Sequence, residues 1–511
     1  MGIILVINLP LLIAVLDAKD CVTFSYPHSY LLGRALSEGR IPLWSQVLNY
    51  PIHAESQGGY TYPPHLLLGL MAPPWLAHNL DILLHLLLAA TAAYAFIRLL
   101  GLSPPSAALG ALAYGLSSHF TIRLGILPFI HGGAFLPLFF LLVALYHRKG
   151  GWRWLLGLGL AFGIALLAGH FQFTVYGMMA ALVFLVWGHK AESRAEFWRR
   201  VAAVAWVPLL GLLVAGVQVL PSGELALDSV RGGLGDGEKL AFSWLPLQGV
   251  SFLLPQFFGQ VSHPTVLLEH FGTFDNYFGV GSFFEGTYYV GIIPLLLSLL
   301  ALGWLGKGKP HRRQVCFFGV LILVSFFLAL GKYNPVYGLL NHLPPFSFFR
   351  HPVRFLLLAC FGFSVLAGFG VRRLVEEGTS PRFRLVMVVV VITAVALPVA
   401  GWVGVHYFGN WLSDAMANYF YGGGGGLSFG GAKDKALEYL SRMETTWSIY
   451  NRQLMWQIAL VALTMAVIGL LGRRRKLKLG GGLAHYHTGN RPGRFCPGAA
   501  LLRHPSNAHR K

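Results

Sequence analysis

Long apolar runs alternate with short polar segments along almost the whole chain. Most runs are near twenty residues, the length a helix needs to cross a hydrocarbon core of about 30 Å. The pattern predicts about twelve transmembrane helices, the first over residues 3–16. The others are expected at 79–100, 105–120, 132–147, 152–168, 171–188, 201–220, 288–305, 315–330, 352–371, 385–406 and 453–471. The predicted fold class is an all-α polytopic membrane protein over residues 1–472.

The first external loop, residues 17–78, is the one long N-terminal segment too polar to lie in hydrocarbon. Residues 24–37 place apolar side chains at helical spacing, with Pro27 in the first turn. Residues 65–76 repeat that pattern after the Pro63–Pro64 break. Both segments are predicted to be helices lying in the membrane interface. A loop held flat on the bilayer by two helices is preorganised for a site.

Composition supports a membrane protein and excludes several other classes. The chain is 55% hydrophobic and 12% charged, whereas a soluble domain carries roughly 25% charged residues. Its four cysteines are far apart and form no CxxC pair, which excludes a disulfide framework and a zinc ribbon. The net charge of +19 is explained by Lys and Arg in cytoplasmic loops, so no nucleic-acid partner is expected.

Basic residues collect in alternate gaps between the predicted spans. They are Arg148, Lys149 and Arg153; Lys190, Arg194, Arg199 and Arg200; Lys307, Lys309, Arg312 and Arg313; Arg372, Arg373, Arg382 and Arg384; and Arg473, Arg474, Arg475, Lys476 and Lys478. With an even number of spans, this pattern puts both termini on the cytoplasmic side of the cytoplasmic membrane. Loops 17–78, 221–287, 332–351 and 407–452 then face outward. The basic tail, 473–511, has no core-forming pattern and is expected to be disordered.

The loops predicted to face outward hold the candidate chemistry: carboxylates that can serve as a base for a hydroxyl, and arginines that can bind a phosphate. Asp20 lies about one turn beyond the first span, where a carboxylate can take a hydroxyl proton; a solvated acid is the alternative. Glu55 and Glu224 are candidate second acids, for metal coordination or acceptor positioning, or structural residues. Arg350 and Arg354 are four residues apart at the start of a predicted span. On one helix face they would form an anion cradle, or they would extend to lipid phosphates.

Histidines near the outer ends of predicted spans have two interpretations each. His170, in AGHFQ, either hydrogen-bonds a donor substrate or ends a helix. His85 lies four residues after Asp81 inside the second span. An intramembrane acid and imidazole are a functional candidate, and a packing hydrogen bond explains them equally well. A divalent metal is a possible cofactor, but the sequence indicates no ligand set for it.

Several longer motifs resemble one known family. They are GRIPLW (39–44), YTYPPHLLL (60–68), AGHFQ (168–172), QVLPSGELALDSVR (218–231), TYYVGIIPLLL (287–297) and LGKYNPVYGLLNHLPPFSFFRHPVRFLLL (330–358). They resemble the YfhO-like bacterial membrane proteins, relatives of the GT-C glycosyltransferases, over residues 17 to about 375.

The resemblance implies a GT-C-like fold, an outward active site, a polyprenyl-phosphate-linked sugar donor and an essential acid in the first external loop. That acid maps to Asp20. The expected substrate-binding residues are Tyr62, His170, Arg231, Arg350 and Arg354. Two departures from the family are the short N-terminus, without its basic residues, and the unusual tail.

The function expected from these residues is inverting transfer of a sugar from a polyprenyl-phosphate donor to an envelope glycopolymer or lipid at the outer face of the membrane. One alternative is a flippase or transporter of lipid-linked sugars. Transporters place ionisable sites at mid-membrane on broken helices in repeated halves, and no internal repeat is evident here. A second alternative is a non-catalytic protein of envelope assembly.

Overall fold

The protein is built from helices joined by short irregular segments. The structure, a computed structural model, describes residues 21–40, 44, 58–228, 235–259, 276–279, 281–309, 311–422, 429–448 and 450–473. Within these ranges there is no β-strand. The helices of nine or more residues are α1 (Tyr26–Ser37), α2 (Pro63–Met71), α3 (Pro74–Leu99), α4 (Pro104–Gly115), α5 (Leu127–Lys149), α6 (Arg153–Leu167), α7 (Phe171–Trp187), α8 (Arg194–Val214), α9 (Gly216–Asp228), α10 (Ile292–Ala301), α11 (Arg312–Ala329), α12 (Leu356–Glu377), α13 (Pro381–Gly422), α14 (Phe429–Trp447) and α15 (Arg452–Arg473).

The long apolar helices confirm a multi-pass membrane protein. Among the described residues, seven helices are long and apolar enough to cross a membrane: α3, α5, α8, α11, α12 with its preceding turn, α13 and α15. Three shorter apolar helices are α6, α7 and residues 292–305. The count of twelve is not confirmed. The helix expected at 105–120 is α4, which ends at Gly115 and is only about 18 Å long. The first predicted span lies outside the described residues.

Five phenylalanines from five helices form the centre of the bundle. Phe96, Phe140, Phe184, Phe318 and Phe361 come from α3, α5, α7, α11 and α12, with ring centroids 5.0–6.0 Å apart. Tilted and edge-to-face ring pairs add about 0.5–1.5 kcal/mol each beyond area burial. This aromatic centre holds the five helices together, and the polar residues described below lie toward one end of them.

Contacts between distant segments close both ends of the bundle. At one end, Lys309 bonds Glu377 at 2.8 Å, and Arg372 donates to His311. The loops predicted to be cytoplasmic meet there. At the other end, segments far apart in sequence are joined. The N–H of His351 donates to the carbonyl of Lys239 at 3.0 Å, and that of Ser118 donates to Tyr289 at 2.8 Å. This grouping follows from the alternating direction of successive helices. Which membrane face each end occupies stays a prediction.

The loops predicted to face outward contain more helix than a connecting loop would. Both helices expected in the first loop are present as α1 and α2, and α3 begins at Pro74, five residues before the predicted span. Helix α13 kinks at Phe408, two residues past the predicted end of its span at 406. The chain then stays helical to Gly422, and α14 packs against α13. The segment predicted as an outward loop at 407–452 is therefore largely helical.

Candidate functional site

A buried ion pair joins the segment before α10 to the start of α12. Nε of Arg354 donates to the two carboxylate oxygens of Glu285 at 3.1 and 3.2 Å, and Nη2 donates to the same group. Nη1 of Arg354 donates to Oε1 of Gln172 at 2.9 Å, and Nδ1 of His351 lies 3.3 Å from Glu285. The side chains of Glu285 and Arg354 are each 11% exposed. These four residues are called the ion-pair cluster below.

The backbone before α12 explains which arginine enters this cluster. His351 has a positive φ of 61°, and residues Pro352–Phe355 form a 3₁₀ turn before the α-helix. Arg350 precedes this break, and its exposed side chain is not on the helix. Its carbonyl accepts a hydrogen bond from Nε2 of Gln172 at 2.6 Å. The prediction that Arg350 and Arg354 share one helix face is therefore wrong, because i to i+4 spacing has that meaning only inside a helix.

The charges of the ion-pair cluster compensate one another. Burial opposes ionisation of Glu285, but the Arg354 guanidinium and the hydrogen bonds outweigh it and hold the pKa of the carboxyl well below its usual value. Burial lowers the pKa of His351, against the hydrogen bond to Glu285, so the imidazole is neutral. The cluster thus holds one negative and one positive charge.

Arg123 lies beside this cluster with incomplete hydrogen bonding. It is 1% exposed, and its guanidinium carbon lies 4.7 Å from the ring centroid of Tyr288. In the described part of the chain, Nε and Nη2 of Arg123, Oη of Tyr288 and Nδ1 of His119 have no hydrogen-bond partner. Leaving such a group unpaired in a protein interior costs about 1–3 kcal/mol. Ordered water would satisfy all of these groups. A bound anion would satisfy only the donors of Arg123 and Tyr288, because Nε2 of His119 already donates to the carbonyl of Phe129 and leaves Nδ1 as an acceptor.

A second polar cluster lies between α2, α3 and α5. Oδ2 of Asp81 bonds Nδ1 of His65 at 2.6 Å. Oδ1 lies 2.9 Å from Nδ1 of His85 and 3.1 Å from Nε2 of His131. Tyr62 Oη is 2.6 Å from Nε2 of His85. All five residues are 5% exposed or less, and they are called the Asp–His cluster.

Three separate segments supply the Asp–His cluster. Asp81 and His85 are one turn apart on α3, so they share a helix face. The Tyr62 side chain comes from the turn just before α2, whose Pro63 and Pro64 occupy its first two positions. Burial, with the negative charge of Asp81 nearby, raises the pKa of Tyr62, so its phenol is neutral. The predicted acid–imidazole pair of α3 is real, and two further histidines extend it.

An apolar groove runs along α7 and α11 from the ion-pair cluster. It has a volume of about 200 Å³. Its lining includes Tyr176, Val183, Trp187, Val320, Val324 and Phe355. Nε2 of Gln172 lies 3.1 Å from Oη of Tyr176, and Phe355 follows Arg354 directly. From Tyr176 to Trp187 the helix rises about 16 Å. The groove is therefore apolar along its length and has a charged cluster at one end.

The remaining site residues predicted from the sequence lie in different parts of the molecule. Asp20, Glu55 and Arg231 lie outside the described residues. Glu224 is exposed on α9, and Tyr62 is 1% exposed. His170 caps α7, because its Nδ1 accepts the N–H of Phe173 at 3.3 Å. Burial, with Arg354 second, holds the pKa of His170 well below its usual value, so the ring remains an acceptor.

Sequence reasoning did not select three residues that the structure brings to these clusters. Glu285 stands among several acids in a loop predicted to face outward, and nothing local marks it as the partner of Arg354. Gln172 lies inside the AGHFQ motif, two residues after His170. His131 directly precedes the span predicted at 132–147 and has no charged neighbour in sequence. An inward-facing polar residue within a turn of a span end was the available signal.

Comparisons with known proteins add one distant likeness. No family model and no curated protein matches the chain. A solved structure, ArnT from Cupriavidus metallidurans bound to undecaprenyl phosphate, is similar in fold, with a TM-score of 0.43 and 15% sequence identity. The match covers 91% of this chain and 76% of that one. Both values are too low for the likeness to support a conclusion about this chain.

Proposed function

We propose that this protein is a membrane glycosyltransferase that uses a polyprenyl-phosphate-linked sugar. One observation carries the proposal: a long apolar groove on the side of the bundle leads directly to a charged cluster at the end predicted to face outward. A lipid-linked sugar has the same division into a long apolar tail and a polar head. The motifs that resemble the YfhO-like proteins support the same substrate class.

The groove suits an isoprenoid chain because its walls are almost entirely apolar and partly open to the side. Val183, Val320 and Val324 line it and are 56%, 42% and 44% exposed on surfaces that would face lipid. Burying apolar area is worth roughly 25 cal/mol per Å² when it is removed from water. In a bilayer that gain is absent, so the groove would select by shape and would leave the head group to supply polar contacts.

The head group would meet Gln172 and the exposed side chain of Arg350 at the polar end of the groove. Glu285 already neutralises Arg354, so Arg354 would hold Gln172 in position more than it would bind phosphate as a free cation. Arg350 is an exposed cation at this end, and its carbonyl is tied to Gln172. The sequence predicted that Arg350 and Arg354 together bind the phosphate. We propose instead that Arg350 and Gln172 bind it.

The proposed reaction is a direct displacement with inversion. The acceptor hydroxyl attacks the anomeric carbon, its proton moves to the Asp20 carboxylate, and the bond from that carbon to the phosphate oxygen breaks with both electrons leaving on the polyprenyl phosphate. Asp20 is assigned as the base from its place after the first predicted span and from the resemblance. The acceptor is an envelope glycopolymer or lipid.

Two measurements test this proposal. The first is binding of undecaprenyl phosphate to the purified protein by native mass spectrometry. Val183→Trp and Val320→Trp should each fill the groove and weaken binding at least tenfold. Leu463→Trp, at a side chain that is 60% exposed on α15, is the matched control and should bind like the parent. Equal binding by all three variants would contradict the groove as the lipid site.

The second measurement is sugar transfer from a labelled polyprenyl-phosphate hexose in proteoliposomes supplied with envelope extract. Asp20→Asn should abolish transfer and keep lipid binding. Full transfer by Asp20→Asn would remove the proposed base. Movement of the labelled lipid between leaflets without transfer would favour a flippase.

A further inference from the structure

Three residues of the Asp–His cluster have the composition and spacing of a metal site. Oxygen of Asp81 and ring nitrogens of His85 and His131 all lie within 4.8 Å of one another. The three residues are 0–2% exposed. Two imidazoles and a carboxylate form the ligand set of many catalytic zinc sites, which keep a fourth position open.

The spacing of the atoms agrees with that ligand set. Oδ1 of Asp81 is 2.9 Å from Nδ1 of His85 and 3.1 Å from Nε2 of His131. Around Zn²⁺, with bonds of about 2.0–2.2 Å, ligand atoms are about 3.4 Å apart at the edge of a tetrahedron. Nδ1 of His85 also lies 2.8 Å from the backbone carbonyl oxygen of Asp81, so admitting the ion takes a rotation of that ring as well as a shift of a few tenths of an ångström.

The hydrogen bonds of His131 give a second, independent argument. Its Nδ1 lies 3.1 Å from the carbonyl oxygen of Ala168, which can only accept, so Nδ1 carries a proton. In a neutral ring, Nε2 then presents a lone pair toward the Asp81 carboxylate at 3.1 Å. Two acceptors face each other there unless a cation lies between them. An imidazole fixed by a carbonyl on its far nitrogen is the arrangement that orients metal-binding histidines.

The surrounding contacts would support the other two ligands in the same way. Nδ1 of His65 bonds Oδ2 of Asp81 at 2.6 Å, which leaves Oδ1 for the ion. Oη of Tyr62 lies 2.6 Å from Nε2 of His85. Without metal, Nδ1 of His85 carries a proton, because it lies 2.8 Å from the carbonyl oxygen of Asp81. When Nδ1 binds metal, that proton moves to Nε2, which then donates a hydrogen bond to Oη of Tyr62.

We propose that Asp81, His85 and His131 bind one divalent transition-metal ion of the Zn²⁺ class inside the bundle, with His65 and Tyr62 orienting the ligands. The ion would compensate the buried carboxylate and fasten the end of the first loop to α3 and α5. This site is independent of the proposed sugar transfer, so either proposal can fail alone.

The test is metal content and Co²⁺ substitution in the full-length protein. Protein purified without added metal should contain one equivalent of zinc per chain. After chelation, Co²⁺ should restore one equivalent and give the visible absorption of a low-symmetry, four- or five-coordinate site. Asp81→Asn and His131→Gln should lose both signals. Because removing a ligand can prevent folding, His65→Gln is the second variant, and we expect it to weaken Co²⁺ binding about 10–100-fold.

The histidines of the tail supply the control for surface binding. A variant with Gln in place of His485, His487, His504 and His509 should still bind one equivalent of metal per chain. Its Co²⁺ absorption spectrum should match that of the parent. Loss of the signal in that variant would overturn the proposal, because the ion would then be bound by the tail. Parent protein that holds no zinc and shows no Co²⁺ spectrum would also overturn it.

Discussion

Glu285 and Arg354 are 69 residues apart in the chain and form a buried, multiply hydrogen-bonded ion pair. Each side chain is 11% exposed, so water screens little of their attraction. The pair ties the segment before α10 to the start of α12, and through Gln172 it also reaches α7. Breaking it should therefore affect stability and the polar end of the groove together.

Glu285→Gln should destabilise the protein by about 3–5 kcal/mol, because it leaves the Arg354 charge buried without a counter-ion. The measurement is the free energy of unfolding in detergent. Glu38→Gln is the control, since Glu38 is an exposed partner of Arg34 and Arg40, and no measurable change is expected there. The double variant Glu285→Leu with Arg354→Met should lose less unfolding free energy than the sum of the losses in the two single variants. Equal stability of Glu285→Gln and the parent would contradict a buried pair.

Stability should fall as the pH falls below about 6.5, in part because of His170. Its folded pKa lies below the value of 6.5 found in an unfolded chain, so the unfolded state takes up a proton first. The stabilising contribution is complete above pH 6.5 and is lost on acidification. Each such group contributes at most about 1.4 kcal/mol per pH unit.

His170→Asn should keep the cap of α7 and reduce this pH dependence. His170→Ala should reduce it equally and also lose about 1 kcal/mol at every pH, since the cap itself is gone. Unfolding free energies at pH 5 to 8 separate the two effects. An unchanged slope in both variants would show that His170 is not the titrating group.

Gly370→Ala should destabilise the contact of α12 with α10. A methyl group on Gly370 would overlap the carbonyl oxygen of Leu297, which is backbone and cannot move aside easily. We expect a loss of about 1–3 kcal/mol, or failure to insert. Gly404→Ala on α13 is the matched control: that position faces open space, and alanine should gain up to about 1 kcal/mol. Equal unfolding midpoints for the two variants would contradict this packing.

Tyr62→Phe should lose about 1–3 kcal/mol, because Nε2 of His85 would keep no partner for its hydrogen bond. Tyr288→Phe is the contrast, since Oη of Tyr288 has no partner within the described residues and its removal should be neutral or stabilising. The comparison is of unfolding free energies under one detergent condition. A larger loss of unfolding free energy in Tyr288→Phe than in Tyr62→Phe would contradict this prediction.

The sequence alone determined the membrane class, the approximate bounds of most long helices and the two helices of the first loop. Those features depend on local hydropathy, which is readable in a window of about twenty residues. The alternating charges also predicted that distant loops would meet at one end, and the structure shows that they do. The pairing of Asp81 with His85 was visible because both lie on one turn of a helix.

Only the tertiary structure decided which charged and polar side chains become partners. The left-handed residue His351 and the 3₁₀ turn after it separate Arg350 from Arg354, although their spacing suits one helix face. Glu285 and His131 join their clusters through contacts between helices, and no local pattern encodes such a partner. A helix exposes apolar side chains to lipid and to neighbouring helices alike, so hydropathy predicts that a segment crosses the membrane but not which side it turns inward. That choice depends on packing among all the helices at once.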